Sequence, residues 1–153
     1  MRIFVVFMGI ALVGLASVAR AATGPCDLVT KAEVKQAVGA EVSEGKPNPH
    51  NKAVCDFKIG DTGSVLNVSL TDKTSADTAE RTVTELKKNK IAATVVAGLG
   101  DGAYSSSPGY GMQQLGAYKG SKQVIVTAMI MGAPEAKVKA IIEKVMRKAL
   151  AKI

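Results

Sequence analysis

The segment at residues 123–131 constrains the fold most, because it has the pattern of a β-strand with apolar residues on both faces. Side chains alternate between the two faces of a strand. One face would carry Val124, Val126, Ala128 and Ile130, and the other would carry Ile125, Met129 and Met131 beside Thr127. Such a strand needs cover on both sides. We therefore expect an α+β fold, with a mostly antiparallel sheet of about 5–6 strands and three helices, which cover both faces unless long loops close one of them.

Three segments have the periodicity of amphipathic helices. In residues 30–38, Thr30 and Glu33 have the spacing of a capping box, and Gly39 is a typical C-terminal stop. Apolar residues recur three and four apart in residues 75–88, with lysines near the end, where cations suit the helix dipole. Pro134 opens a third helix, whose apolar arc is Val138, Ile141, Ile142, Val145, Met146, Ala149 and Leu150.

Shorter alternating runs predict the rest of the sheet. Residues 55–59 and 66–70 alternate on either side of the turn Asp61-Thr62-Gly63, which predicts a hairpin with one buried face. Residues 91–96, 103–106 and 112–119 are the remaining strand candidates. Residues 44–51 contain one glycine and two prolines, so we expect an irregular, solvated loop there.

The N-terminal residues have the features of a secretory signal peptide. Arg2 precedes an uncharged apolar run, and Ala19-Arg20-Ala21 places small residues at the positions that a signal peptidase recognises. An uncleaved membrane anchor is the alternative, but the run is shorter than a membrane span usually is. We therefore expect residues 1–21 to be a signal peptide and residues 22–153 to be a single α+β domain. The mature chain would be periplasmic or secreted, with no transmembrane span.

The two cysteines, Cys26 and Cys55, fit an exported protein. An even number of cysteines outside the reducing cytoplasm favours one intramolecular disulfide over two free thiols. A redox site would favour a Cys-x-x-Cys spacing, and a zinc site would need further ligands beside the single histidine, His50. The predicted disulfide joins the start of the first helix to the first strand of the hairpin.

The excess positive charge is partly organised on the third helix. Without residues 1–21 the chain keeps 18 basic and 13 acidic residues, a net charge of +5. One arc of the helix, opposite the apolar arc, carries Lys137, Lys144, Arg147, Lys148 and Lys152. This stripe is either a solvated helix face or a contact surface for an anionic envelope component or an acidic protein. Nucleic acid is not expected as a partner, because we expect the chain to be exported and because it has few aromatic residues.

No residue pattern points to catalysis or to a cofactor. Ser105, Ser106 and Ser107 could serve a small hydrolase, but there is no nucleophile elbow and His50 lies in a proline-flanked loop. The methionines Met112, Met129 and Met131, with His50, could give a weak copper site, although methionine is also a common core residue. The glycines of residues 98–102 precede an extended run rather than a helix, which predicts a turn instead of a phosphate loop.

Several short motifs resemble those of small exported bacterial domains of unknown function. They are Pro25-Cys26-Asp27-Leu28-Val29-Thr30, Ala32-Glu33-Val34, Ala37-Val38-Gly39, Cys55-Asp56-Phe57 and Gly98-Leu99-Gly100-Asp101-Gly102-Ala103-Tyr104. Some proteins with similar patterns resemble the PsbP-like α/β/α sandwich. The resemblance covers roughly residues 25–150 and implies a fold and a compartment, and it carries no catalytic residues. We expect a monomeric binding or interaction module that is not an enzyme.

The first prediction concerns processing and oxidation. Exported protein should begin at Ala22 or within a residue or two of it, because of the alanines at positions 19 and 21. Its intact mass should be about two units below that of the reduced form, with no thiol available for alkylation. Mass spectrometry of purified exported protein measures both. Uncleaved protein with two reactive thiols would contradict the prediction.

Overall fold

The computed structural model describes residues 24–153, so the predicted signal peptide, residues 1–21, lies outside the described residues. A short 3₁₀ helix occupies Pro25–Asp27. The three α-helices are α1 (Lys31–Val38), α2 (Ala79–Lys88) and α3 (Glu135–Leu150). The strands are β1 (Lys46–Pro47), β2 (Val54–Ile59), β3 (Ser64–Asp72), β4 (Ala92–Val96), β5 (Gly102–Gly109), β6 (Met112–Lys119) and β7 (Lys122–Met129).

All seven strands form one antiparallel sheet, in the order β1-β2-β3-β7-β6-β5-β4. The α+β prediction is confirmed, but the strand number is seven rather than 5–6. The additional strand is β1, which lies in the segment that was expected to be an irregular loop. β1 was not predicted as a strand because it contains Pro47, and proline is unfavourable in a strand except at a sheet edge. Pairing of Lys46 with Asp56 and of Pro47 with Cys55 makes β1 that edge.

One face of the sheet is buried beneath α1 and α3 along β2, β3, β7 and β6, whereas Ala92 and Thr94 on the same face of β4 are exposed. Alternate residues of the strands point into this layer, and the largest of them, Phe57 and Leu66, are 1% and 0% exposed. The strand contacts of α3 are with β6 and β7 at the centre of the sheet, and α1 packs beside α3. All seven predicted apolar residues of α3 are buried. The period of 3.6 residues therefore located this layer correctly from the sequence.

The opposite face also carries a helix, but it is covered only in part. α2 packs there on β4 and β5, above Ala93, Tyr104 and Tyr118. The second face of β7 is less buried than expected, since Ile125 and Met129 are only partly buried. Met131, predicted to belong to that strand, lies beyond its end and is 60% exposed.

Polar side chains explain why the uncovered part of this face tolerates water. A row of them crosses five strands at one level of the sheet: Asp56, Asn67, Thr127, Gln114 and Ser106. Asn67 Nδ2 donates to Asp56 Oδ1 at 2.5 Å, and Gln114 Nε2 donates to Thr127 Oγ1 at 3.2 Å. Polar groups that bond to each other and to water need no apolar cover. The sequence of β7 alone predicted a buried second face, because the polar residues of this row lie mainly on the neighbouring strands.

The helix termini follow their local chemistry. The predicted capping box forms, because Thr30 Oγ1 accepts from the Glu33 N–H at 3.2 Å and Glu33 Oε2 accepts from the Thr30 N–H at 2.7 Å. Gly39 ends α1 with a positive φ of 76°. α2 starts at Ala79, four residues later than predicted, because a turn closed by Asp77 precedes it. The carboxylate of Asp77 accepts from the Thr74 N–H at 2.7 Å.

The predicted disulfide between Cys26 and Cys55 is present, with the Cα atoms 5.0 Å apart. It fastens the 3₁₀ helix to β2, and Cys55 is fully buried. The two residues are 29 apart in the sequence. A closed loop of that length stabilises the folded chain by about 3.5 kcal/mol in the chain-entropy model.

The glycine-rich segment at residues 98–102 forms the expected turn before β5. Gly98 and Gly100 have φ values of 76° and 56°, a region that glycine adopts most readily. A Cβ at Gly100 would overlap the backbone carbonyl oxygen of Tyr118. Asp101 fixes the turn, since its N–H donates to that carbonyl at 2.7 Å and its Oδ2 accepts from the Gly120 N–H at 2.7 Å. These backbone groups are therefore occupied by the neighbouring β6–β7 turn.

The second prediction compares two neighbouring residues of β3 that point to opposite faces. Leu66→Ala should lower the free energy of unfolding by about 2–5 kcal/mol, because Leu66 is fully buried and its truncation leaves a cavity. Val65→Ala should cost less than about 1 kcal/mol, because Val65 lies on the open face and is only partly buried. Denaturant unfolding measures both changes. Equal costs would show that the second face is packed as tightly as the first.

Candidate anion-binding groove

A groove of about 340 Å³ lies between α1 and α3, on the outer side of the helical layer. Its walls are Glu33, Gln36 and Ala37 of α1 and Lys144, Arg147 and Lys148 of α3. Three of the six side chains are therefore cationic and one is anionic. We call this feature the α1–α3 groove.

Helix periodicity places these side chains together. Residues three and four apart share a helix face, so Lys144, Arg147 and Lys148 project from the same side of α3. The apolar arc of α3 is fixed against the sheet, which directs this side away from the core. On α1, Val34 and Val38 are buried, so the residues that wall the groove lie beside the buried arc.

The charges around the groove are unequally neutralised. Arg147 donates from Nη2 and Nε to Glu143 Oε1, at 2.7 and 3.1 Å. Lys144 and Lys148 are exposed, and neither forms a salt bridge within residues 24–153. Like charges four residues apart on a helix repel each other by a few tenths of a kcal/mol. An anion seated between these lysines would remove that repulsion.

Glu33 is the one carboxylate in the groove, and it is already occupied. Lys152 Nζ donates to Glu33 Oε2 at 2.9 Å, and Thr30 donates to it from its backbone and its hydroxyl. Burial alone would raise the pKa of Glu33, but the hydrogen bonds from Lys152 and Thr30 outweigh it and lower the pKa below 4.5. Glu33 thus stays ionised and paired with Lys152, which leaves the positive charge of the α3 wall in excess.

The structure divides the predicted stripe of five basic residues into three groups. Lys144, Arg147 and Lys148 come together in the α1–α3 groove. Lys152 lies just beyond the end of α3 and is paired with Glu33. Lys137 is seven residues before Lys144, about 10 Å along the helix, and does not line the groove. The stripe is therefore a shorter and more concave site than its sequence pattern indicated.

Sequence reasoning missed the residues that α1 contributes. The sequence gives Glu33 a capping role and places Glu33 and Ala37 in motifs, but it predicts no site at Glu33, Gln36 or Ala37. The capping role is confirmed, but nothing in the local pattern shows that α1 lies beside α3, more than 100 residues later in the chain. The contact arises because both helices cover the same sheet face. The salt bridge between Glu33 and Lys152 closes one end of that contact.

The serines considered for a hydrolase all form cross-strand hydrogen bonds. Ser105 bonds to Thr94 at 3.0 Å, Ser106 to Gln114 at 3.0 Å and Ser107 to Gln113 at 2.8 Å. His50 lies in the connection between β1 and β2, and three strands separate β2 from the β5 strand that carries these serines. The structure therefore does not bring His50 to any of them.

His50 and the methionines are also apart. Met129 pairs with Val65 and hence stands at the level of Lys58 in β2, whereas His50 precedes Val54 at the other end of that strand. Four strand residues correspond to about 13 Å. Within residues 24–153, no three His, Cys, Asp or Glu side chains are grouped so that they could hold a metal ion.

A second polar cluster, around two tyrosines, joins α2 to the sheet. Tyr118 Oη lies 2.7 Å from Thr82 Oγ1, and Gln123 Nε2 donates to both tyrosine hydroxyls at 3.2 and 3.3 Å. Burial raises the pKa of Tyr104 to about 12, and the neighbouring Tyr118 contributes to the shift. The ring of Tyr104 occupies the space where Gly116 lacks a side chain. These hydroxyls are mutually satisfied, so the cluster is a packing contact.

No helix within residues 24–153 combines the length and the hydrophobicity that crossing a membrane requires. Comparison with known proteins gave no match to this chain, whether to a family model, a curated protein or a solved structure.

The third prediction concerns the ion pair at the end of the groove. Because Lys152 lowers the pKa of Glu33, Lys152→Gln should raise that pKa, and NMR titration of the carboxyl group measures the shift. The folded pKa lies below the unfolded value, so the stability gained from this pair is complete above about pH 5. It is lost as the pH falls through the folded pKa.

The matched control for this prediction is Lys148→Gln, which removes a cation of the same groove that is not paired with Glu33. Lys148→Gln should shift the pKa of Glu33 less than Lys152→Gln does. Equal shifts in both variants would show that general charge, rather than the hydrogen bond from Lys152, controls the ionisation of Glu33.

Proposed function

We propose that the protein is an exported binding module, periplasmic or secreted, that holds an anionic envelope component at the α1–α3 groove. The observation that carries this proposal is the pair of unneutralised cations, Lys144 and Lys148, beside Arg147 in a concave site. Its volume of about 340 Å³ falls within the range of small-molecule sites and suits one charged headgroup or monomer unit.

The three cations have different roles in this proposal. Glu143 holds the guanidinium of Arg147 in place, so Arg147 offers a planar set of donors at a fixed position. Lys144 and Lys148 act as mobile point charges that can follow a phosphate or carboxylate group. The net charge of +5 on residues 22–153 would add long-range attraction to an anionic surface.

Two observations support export. Residues 1–21 have the pattern of a signal peptide, and the disulfide between Cys26 and Cys55 suits an oxidising compartment. A PsbP-like α/β/α fold, as in the small exported domains that the sequence resembles, is part of the same proposal. It is supported by helices on both sides of one antiparallel sheet.

We propose binding rather than catalysis because the site is built from cations and has no nucleophile beside a general base. A small hydrolase and a weak copper protein remain the alternative functions. Neither is favoured by a specific contact, since His50 is distant from both the serines and the methionines considered.

The fourth prediction tests the groove with vesicles that contain an anionic phospholipid. The variant Lys144→Gln/Lys148→Gln should bind about 30-fold more weakly than the unmodified protein at low salt, because each lysine near an anionic surface contributes about 1 kcal/mol. Binding of the unmodified protein should also weaken as salt rises. Co-sedimentation with the vesicles measures the affinity.

The matched control is Lys52→Gln/Lys58→Gln, which removes the same charge at two exposed lysines around β2. It should weaken binding by no more than about threefold. Equal losses in the two variants would mean that net charge, rather than the groove, is recognised. If the protein does not bind these vesicles but is retained on a column that carries an acidic protein, the ligand of the groove is an acidic protein rather than an envelope component. Absence of both would overturn the proposal.

A further inference from the structure

The two edges of the sheet differ in how they are protected. At one edge, β1 has two residues and contains Pro47, which has no N–H to offer a neighbouring strand. At the other edge, β4 has five residues, Ala92–Val96, without charge or proline and with regular pairing to β5. Unprotected edges present a row of backbone donors and acceptors that another strand can pair with. No described segment pairs with the outer side of β4.

The side chains of β4 would permit close approach of such a strand. Ala92 and Thr94 are small and exposed. Val95 is 49% exposed and lies on the face that α2 covers, since its neighbour Ala93 is buried two residues away on that face. A partner strand would bury Val95, and it would bury no charged side chain of β4, because β4 has none.

The outer side of α2 supplies the second observation. Thr82 bonds to Tyr118 in β6, so that side of α2 faces the centre of the sheet. Glu80 and Lys87 lie on the opposite side of the helix, above the free edge. They are seven residues apart, about two helical turns, so both project the same way. Both are exposed, and neither forms a salt bridge within residues 24–153.

The direction of α2 decides which charges could meet across the edge. Ala79, the first residue of α2, packs over Gly102, which adjoins the Val96 end of β4. The last turn of α2 leads straight into β4, since the Ile91 N–H donates to the Leu86 carbonyl at 3.0 Å. α2 and β4 therefore run in opposite directions, with Glu80 above the end of β4 and Lys87 above its start.

We infer that β4 pairs antiparallel with β4 of a second copy, about a twofold axis at Thr94, and joins the two seven-stranded sheets into one. This register pairs all five residues, with Ala92 opposite Val96 of the partner copy. The two α2 helices then lie side by side and antiparallel. Glu80 of each copy faces Lys87 of the other, so the surface is self-complementary, as a twofold interface requires.

The spacing of the elements is consistent with this contact. α2 rests between β4 and β5, so the two α2 helices would be about two strand spacings, or 9–10 Å, apart. Packed helices lie about 8–10 Å apart, so at this separation the two α2 helices are in contact and their facing side chains meet. A second copy fits better than an unrelated extended segment, because it supplies both the strand and the complementary charges.

The fifth prediction uses the oxidised mature chain in analytical ultracentrifugation. The protein should dimerise, and Thr94→Lys should raise the dissociation constant at least tenfold, because it places two lysines opposite each other at the axis. Thr71→Lys, the same change at an exposed position of β3, should leave the dissociation constant unchanged. Circular dichroism confirms that each variant is folded.

Charge reversal on α2 separates this geometry from any other dimer. Glu80→Lys and Lys87→Glu should each weaken the dimer about tenfold at low salt, and the double variant should restore it. A monomer at all concentrations, as the sequence led us to expect, would overturn the inference. A dimer that Thr94→Lys does not weaken, or that the double variant does not restore, would also overturn it.

Discussion

The packing of α3 on the centre of the sheet is the interaction on which the other features depend. Its seven buried side chains meet β6 and β7, and each Val, Ile, Leu or Met buried in this way contributes about 1.5–3 kcal/mol. This contact fixes the rotation of α3, so its cations must face outward. It also leaves room on the same sheet face for α1, and the two helices together form the α1–α3 groove.

Some cations on and beside α3 form salt bridges and others do not. Lys152 is paired with Glu33 and Arg147 with Glu143, while Lys144 and Lys148 have no acidic partner among the described residues. The proposed anion site depends on the position of these two lysines in a groove, beside Arg147. The groove and the tyrosine cluster lie on opposite faces of the sheet, so the groove is separate from the contact that holds α2.

The proposed dimer would change how the groove meets a surface. An antiparallel pairing of β4 strands has its twofold axis perpendicular to the sheet, so both helical layers of α1 and α3 would face the same side. Two grooves on one side can bind an extended anionic surface together, and linked sites of this kind increase the apparent affinity without new contacts. The groove lies on the face opposite α2, so dimerisation would leave it accessible.

The sequence by itself determined the local features, because their causes lie within a few residues. The capping box of Thr30 and Glu33, the apolar arc of α3, the hairpin around Asp61 and the disulfide could all be predicted. Tertiary structure alone decided where β1 pairs, how little of the second face α2 covers, and which cations α1 meets. Those outcomes depend on residues far apart in the chain: Pro47 becomes a strand residue only against Cys55, and Glu33 meets Lys152 only because one sheet face must be buried.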